Sequence, residues 1–376
     1  MSVEIRAIEP TRSQLRKFVK FGIDLYEGNE YYVPALIHDD VNTLSPKVNP
    51  AFDFCEAQCF MAYRDGKPVG RIAGIINNAV NERTGEKTLR FGFVDFIDDP
   101  EVVDALFDAC GAWGKEKGMT SMLGPMGFTD MDHEGMLVEG FDQLGTMATI
   151  YNHPYYPRHM ERMGFTPEAE WVEMAIAVPD RIPEKYARVA EIVKTRNNLR
   201  VKKYTSRKKI KEEYGVALFE LINEAYDNLY GYSPLTPRQI EYYIDMYLGI
   251  LNLDFVTVVV DSEDRLVAVG ISIQSFSKAL QKSRGRLLPT GWWHLLKVLR
   301  GKSDIVDLLL IAVKPEYQNK GVNALLFADL IPHYIKAGFK HAETNPELVG
   351  NDKVRGQWDY FDTRLHKRRR AFRRLL

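Results

Sequence analysis

The 376-residue chain has little of the material that marks several protein classes. Its three cysteines, Cys55, Cys59 and Cys110, are an odd number without zinc-ligand spacing, which predicts no disulfide framework and no metal site. The 50 lysines and arginines balance the 51 aspartates and glutamates, so no overall field favours nucleic acid. No apolar run approaches the ~20 residues of a membrane span, and no apolar signal segment is present. These absences predict a cytoplasmic protein with buried thiols.

What the chain does have is enough length and apolar content, 376 residues and 45% hydrophobic, for two domains. The same order of elements occurs twice, in residues 1–180 and 181–376, on either side of a proline-containing linker at 179–183. Each half places a two-strand unit after one or more helices: Cys59–Arg64 and Pro68–Ile76 in the first, Phe255–Val260 and Leu266–Gln274 in the second. This repetition predicts an α/β fold in which a mixed, mostly antiparallel sheet with flanking helices is built twice.

The stretch Asp304–Leu330 organises the second half. An apolar run over 308–313 predicts a buried strand, and Pro315 ends it because proline cannot donate to a sheet ladder. Helical spacing resumes near Val322. The first turn of such a helix offers free N–H groups to an anion, and a small residue lets a phosphate approach the backbone. A plain strand–helix turn of the Rossmann type is the alternative.

The loop of this unit resembles the acyl-CoA motif of the GNAT superfamily, Gln/Arg-x-x-Gly-x-Gly/Ala. Gln318 and Gly321 match; Asn323 departs from the pattern, and Ala324 follows one residue late. The resemblance implies that acetyl-CoA or a longer acyl-CoA is the co-substrate, without a metal, and that strand backbone binds its pantetheine arm. The implied contacts are Ile311, Val313, Gln318, Asn319, Lys320, Gly321, Val322, Asn323 and Ala324. Lys320 is equally well explained as a solvated lysine.

The first half keeps a second GNAT feature but has no CoA loop. Asp98 and Asp99 stand where the loop should be and would repel a pyrophosphate. The stretch Asn152–Phe165 resembles the fourth-helix motif of the superfamily, with Met160 where many members have a tyrosine acid. The resemblance therefore implies a tandem GNAT protein: an N-terminal domain, 1–180, degenerate for CoA, and a C-terminal domain, 181–376, that binds it.

Longer motifs resemble one bacterial group of tandem GNAT proteins, which includes ceramide-synthase-like proteins that N-acylate a long-chain amino alcohol. They are GFTDMDHEGMLVEGFD at 127–142, TIYNHPYY at 149–156, PELVGN at 346–351 and LHKRRR at 365–370. The resemblance implies acyl transfer from acyl-CoA to a primary amine, with a long-chain, sphingoid-type amine as the candidate acceptor. The alternative is a non-catalytic acyl-CoA-binding or regulatory protein, which the departure at Asn323 favours.

Asp307 is the candidate general base. It stands four residues before Ile311 and fourteen before Gly321, as does a strand glutamate in the histone-acetyltransferase branch. The same resemblance makes an N–H near Ile311 the group that polarises the thioester carbonyl. A half-buried carboxylate between apolar neighbours has a raised pKa, which suits a base. The alternative is an aspartate that faces solvent or caps a neighbour.

The other candidate site residues are less specific. Tyr360, on a helix predicted after Asn351, is the candidate acid for the leaving thiolate, and Glu347 precedes that helix as a further catalytic candidate. Packing explains Tyr360 as well, and capping of the predicted helix explains Asn351. Polar loop structure and aromatic packing are the alternatives for the first-half candidates. The candidate substrate contacts are Glu134, Tyr155, Tyr156 and Asn351.

Two basic segments are candidates for contact with partners. Residues 275–303 carry seven lysines and arginines and no acidic residue, interleaved with leucines and with Trp292 and Trp293. Such a segment suits peripheral contact with the inner membrane surface or a lid over an acyl chain, and an ordinary packed helix is the alternative. The stretch Arg364–Arg374 fits a solvated edge strand, a phosphate clamp or, with no other support, a nucleic-acid patch.

Overall fold

A computed structural model describes residues 2–301, 303–351 and 356–376. Contacts divide the chain into two compact units. Unit 1 comprises Met1–Val172, Phe276–Leu296 and His366–Leu376, and unit 2 comprises Glu173–Ser275 and Lys297–Leu365. The domains 1–180 and 181–376 stay a prediction. The compact units differ from them because an insert from the second half and residues 366–376 pack with the N-terminal part of the chain.

The described residues contain fourteen strands and eleven α-helices. The strands are β1 (Glu4–Ile8), β2 (Cys55–Arg64), β3 (Lys67–Asn77), β4 (Thr88–Phe96), β5 (Ser121–Gly124), β6 (Met136–Glu139), β7 (Thr166–Ala177), β8 (Arg200–Lys202), β9 (Val256–Val260), β10 (Leu266–Gln274), β11 (Ile305–Val313), β12 (His341–Thr344), β13 (Glu347–Leu348) and β14 (Thr363–Leu375). The helices are α1 (Arg12–Leu25), α2 (Ile37–Thr43), α3 (Asn78–Thr84), α4 (Pro100–Glu116), α5 (Tyr155–Arg162), α6 (Glu184–Arg196), α7 (Arg207–Tyr226), α8 (Pro237–Tyr247), α9 (Ser277–Ser283), α10 (Gly291–Arg300) and α11 (Asn323–Ala337).

Unit 1 is built on strands in the order β1-β2-β3-β4-β5-β14, with β6 also paired to β14. The β2–β3 turn consists of Asp65 and Gly66, whose φ angles of 53° and 72° are those a two-residue hairpin turn requires. Strands β4 and β5 are parallel, and α4 packs in the core beside them, starting at Asp99, whose side chain caps its first turn. The three cysteines are buried and free, as predicted.

Unit 2 repeats this arrangement in the order β8-β9-β10-β11-β12-β7, in which β11 and β12 form the parallel pair. Helices α6 and α11 pack on one face of the sheet, in a core with Val306 and Val313. Helix α7 packs on the other face, in a core with Val258 and Ala312. The predicted mixed sheet, built twice, is therefore confirmed.

The basic segment 364–374 belongs to a long strand. The residues of β14 that lie in unit 1 pair with β5 and β6, and Arg369 is only 1% exposed. Its neighbouring arginines form ion pairs within unit 1: Arg368 with Glu139 and Glu170, Arg370 with Glu170, and Arg373 with Glu86 and Glu168. The expectation of a solvated edge strand is corrected here, because this part of β14 is paired with β5 and β6. The phosphate clamp and the nucleic-acid patch stay predictions.

Candidate functional site

Strand β11 has an unpaired backbone edge in its second half. Parallel pairing with β12 ends where Leu308 meets Thr344. On the other side the ladder with β10 continues to Val313, although Leu309 is an extra, bulged residue, since Ser272 pairs with Leu308 and Ile271 with Leu310. In the described part of the chain, no strand lies along residues 309–313 on the side away from β10.

The polar groups on this edge can be assigned from the ladder. Lys314 donates its N–H to Val267, 2.9 Å away on the β10 side, so the N–H and C=O of Val313 and Ile311 point the opposite way. Each carbonyl on the open side accepts a side-chain hydrogen bond. These bonds are Asn345 Nδ2 to Leu309 O (2.8 Å), Tyr226 Oη to Ile311 O (2.9 Å) and Gln318 Nε2 to Val313 O (3.2 Å).

The backbone N–H groups of this edge, unlike its carbonyl groups, are not occupied by hydrogen bonds within the described residues. Neither Ile311 N–H nor Val313 N–H has an acceptor among residues 2–301, 303–351 and 356–376. Because the carbonyls are occupied and the amides are not, the edge offers hydrogen-bond donors. A ligand that lies along it should therefore present acceptors, such as amide or thioester carbonyl oxygens.

A nine-residue loop, 314–322, joins β11 to α11. Asn319 and Gly321 have φ angles of 61° and 79°, so both lie in the left-handed region. A Cβ on Gly321 would lie 3.0 Å from Val189 and 3.2 Å from Val193 of α6, so glycine is required there. Asn323 Nδ2 donates to Gln357 Oε1 at 3.1 Å and fixes the start of α11.

The end of this loop is suited to bind an anion. Within the described ranges, the N–H groups of Asn319, Gly321 and Val322 have no hydrogen-bond acceptor. They precede the 15-residue helix α11, whose N-terminus carries the positive end of the helix dipole. The Lys320 ammonium lies 5.3 Å from the ring centre of Tyr317, at the edge of the same loop. A phosphate group fits this position by charge and by hydrogen bonding.

The equivalent loop of unit 1 is occupied by its own carboxylates. Only three residues, 97–99, separate β4 from α4. Asp99 Oδ1 accepts the N–H of Glu101 at 3.0 Å in the first turn of α4, where an anion would bind. Asp98 lies 2.8 Å from His159 Nε2. These contacts are the physical reason to expect no CoA in unit 1.

The edge of β4 is also closed. Tyr156 Oη accepts the N–H of Phe96 at 3.0 Å, and Tyr155 Oη donates to Phe96 O at 2.7 Å. Tyr156 is fully buried, and its hydroxyl also receives a hydrogen bond from Tyr26 (3.0 Å), which contacts the buried Asp95. Tyr156 is held in the core by these contacts, and its role as a substrate contact stays a prediction. Tyr155 has a structural role that accounts for its position.

Asp307 lies inside the sheet. It is 2% exposed and pairs in register with Ile273 of β10 and Glu343 of β12. Its neighbours Val306 and Leu308 pack in the core with α6 and α11, so the Asp307 side chain points to the opposite face, that of α7. This position excludes the solvent-facing alternative and places a carboxylate two residues before the bulge that opens the edge.

Tyr360 is not on a helix. Residues 356–358 form a 3-10 turn, and Tyr360 follows it, 49% exposed, with its hydroxyl against Lys185 Nζ. The predicted helix after Asn351 is thus corrected for residues 356–362, while the part over 352–355 and its capping by Asn351 lie outside the described residues. Glu347 accepts the indole N–H of Trp358 at 2.9 Å.

Glu134 lies in unit 1 and is half-buried, and burial raises the pKa of its carboxyl to about 8.

Two residues that bind the β11 edge were missed by the sequence analysis. Asn345 directly follows β12, and Tyr226 ends α7. A polar residue just past a strand is a weak signal for Asn345, and nothing in the sequence indicates that Tyr226 reaches β11.

The fold is that of a tandem GNAT protein. Its marks are a sheet built twice, a parallel pair, β11 and β12, whose pairing ends early, a bulge in β11, and the loop before α11. A solved tandem GNAT protein from the clavulanic acid biosynthesis pathway superposes with a TM-score of 0.58 at 11% identity, covering 100% of this chain and 98% of that one. At this identity the likeness concerns the fold alone.

Two curated proteins are similar in sequence. Protein YghO of Escherichia coli is 27% identical over 323 residues, 85% of this chain and 81% of that protein. The bacterial ceramide synthase of Caulobacter vibrioides is 26% identical over 314 residues, 82% and 80% of the two chains. No family model matches the chain.

Proposed function

We propose that unit 2 binds acyl-CoA and transfers the acyl group to a primary amine. The observation that carries the proposal is the β11 edge, with two free amides, continued by a loop that ends at the N-terminus of α11. Donors along a strand suit the carbonyls of a pantetheine arm, and the N–H groups of the loop suit its pyrophosphate. The tandem GNAT fold supports this assignment.

We assign a separate role in acyl transfer to each of three residues of the site. Ile311 N–H polarises the thioester carbonyl in this proposal, which is supported by its direction toward the open side of β11 beside the bulge. Asp307 is the base that accepts a proton from the attacking amine. Gly321 keeps the backbone of the loop accessible to phosphate, since any side chain there would meet α6.

For the acceptor we propose a long-chain amine, supported by the similarity to the Caulobacter ceramide synthase. Such an amine partitions into a membrane, so we also propose peripheral contact with lipid. Residues 286–300, which include α10 and which we call the lipid-contact segment, suit that contact because they expose large apolar side chains beside lysines and arginines. The exposed fractions are 39% for Leu287, 76% for Leu288, 48% for Trp292 and 47% for Trp293.

The residues just before the lipid-contact segment are held by contacts within unit 1. Gly285 O accepts the N–H of Ile37 at 2.9 Å, and Arg284 pairs with Glu27 at 2.7 Å. Of α10 itself, only Gly291 is buried. No helix in the described ranges is long and apolar enough to cross a membrane.

Thiol release from acyl-CoA, measured with a series of amines of increasing chain length, tests the proposal. Amine-dependent release that improves with chain length is expected. CoA binding by calorimetry without release for any amine would instead favour a regulatory acyl-CoA-binding protein, the alternative that Asn323 suggests. Absence of CoA binding would contradict both functions.

A further inference from the structure

The hydroxyl of Tyr226 lies at the one point of the β11 edge where acyl transfer would take place. It donates to Ile311 O at 2.9 Å, and the N–H of the same residue points to the same open side. The amide donors of Asn345 and Gln318 lie on the carbonyls of Leu309 and Val313, one step to either side. Tyr226 therefore places a side-chain donor at the same residue of the edge as Ile311 N–H.

The residues around Tyr226 hold its ring in place. The ring packs edge-on against Tyr232, with 6.1 Å between ring centres, and Tyr232 Oη donates to Asn223 at 2.7 Å. Asn223 also accepts the N–H of Leu235, so the turn after α7 is fixed on the same residue. Burial raises the pKa of Tyr226, so its phenol keeps its proton throughout the neutral range.

We propose that Tyr226 is a second hydrogen-bond donor to the thioester carbonyl, acting beside Ile311 N–H. This inference rests on the proposed function of unit 2. When acyl-CoA lies along β11, rotation about the Cζ–O bond turns the phenol hydrogen from Ile311 O to the thioester oxygen. Two donors then face the oxygen on which negative charge develops.

The transfer balances without proton loss from Tyr226. The amine nitrogen forms a bond to the carbonyl carbon, the C–S bond breaks, and its electron pair leaves with sulfur. Asp307 accepts the amine proton and passes it to solvent, and CoA departs as the thiolate. A phenol is a weaker acid than a thiol, with ordinary pKa values of about 10 and 8.5, so Tyr226 stabilises charge by hydrogen bonding rather than by donating a proton to sulfur.

Infrared spectroscopy of bound acetyl-CoA, labelled with ¹³C at the thioester carbonyl, tests this assignment without turnover. In wild type, two donors should lower the carbonyl stretching frequency relative to free acetyl-CoA. Tyr226→Phe should lose a clear part of that shift, whereas Tyr232→Phe, which removes the neighbouring hydroxyl that donates to Asn223, should keep it. Calorimetry on each variant with the same ligand verifies that the protein is folded and binds.

Kinetics with an accepted amine give a second readout. Tyr226→Phe should lower kcat by roughly 10²-fold, the scale for one donor to a developing oxyanion, with KM for acyl-CoA nearly unchanged. The pH profile should keep its shape, because Tyr226 does not titrate in the mechanism. Equal infrared shifts in wild type and Tyr226→Phe would overturn the role of Tyr226 and leave the proposed function intact. Failure of wild type to bind acetyl-CoA would overturn both.

Discussion

Asp307 and Glu343 are direct neighbours on the parallel strands β11 and β12, in register and on the same face of the sheet. Asp307 is 2% exposed and Glu343 is half-buried, so the carboxyl group of Asp307 is the more shielded of the two from water. This register places the candidate base, Asp307, one residue before Leu308, which is the last residue of β11 that pairs with β12.

Replacing Asp307 should slow acyl transfer and leave CoA binding unchanged. We expect Asp307→Asn to lower kcat by roughly 10²-fold or more, the scale of general base catalysis, with CoA affinity close to wild type. The loss should shrink at high pH, where more of the amine is already deprotonated. Asp245→Asn is the matched control, because Asp245 is an exposed aspartate of α8 in unit 2 that pairs with Lys211. Steady-state kinetics from pH 6 to 10 are the measurement, and full activity of Asp307→Asn at neutral pH would remove Asp307 from the mechanism.

Gly321→Glu should abolish CoA binding. The substitution places a side chain against α6 and a negative charge at the anion site. Gly338→Glu is the control at the other end of α11, where φ is also positive, at 82°, but nothing lies within 4 Å of an added Cβ. Calorimetry should give one CoA per chain for wild type and for Gly338→Glu, and none for Gly321→Glu. A stoichiometry of two would contradict the assignment of unit 1 as closed to CoA.

The lipid-contact segment should bind anionic membranes. We expect the chain to float with vesicles that contain phosphatidylserine, less so as salt rises, because salt screens the basic residues. Replacing Trp292 and Trp293 together with alanine should weaken flotation and slow turnover of long-chain amines more than short ones. Val216→Ala, which removes an exposed apolar group (51% exposed) on α7, is the control. If the double variant lost no more turnover with long-chain amines than with short-chain amines, the segment would have only a structural role.

Stability should fall as the pH rises through the titration of Glu134. Burial raises the pKa of this carboxyl from 4.5 to about 8, so the folded state binds its proton more tightly than the unfolded state. The destabilisation is absent below about pH 4.5 and grows until about pH 8, by at most about 1.4 kcal/mol per pKa unit. Glu134→Gln should therefore raise the melting temperature at pH 8 more than at pH 5. The exposed Glu161→Gln should show no such difference, and equal effects of Glu134→Gln at both pH values would contradict the prediction.

The sequence predicts the repeated sheet and the β11–loop–α11 unit because both depend on local patterns. Apolar runs, Asp65-Gly66 and the spacing from Gln318 to Gly321 each act within a few residues. The contacts of Tyr226 and Asn345 with β11 join residues that are far apart in the chain, and no local pattern encodes them. The same holds for segment 364–374, whose charge pattern indicates a solvated surface until its glutamate partners are known.

Strand β5 pairs with residues of β14 that are translated much later. Gly124 pairs with Phe372, which is 372 − 124 = 248 residues further along the chain. At a synthesis rate of roughly 5–20 residues per second, β5 waits about 10–50 s for this partner. During that time its backbone edge is open to pairing with other nascent chains. Most of unit 1 precedes unit 2 in the sequence, but unit 1 can be completed only after unit 2 has been translated. Expression at lower temperature with holding chaperones should favour its correct assembly.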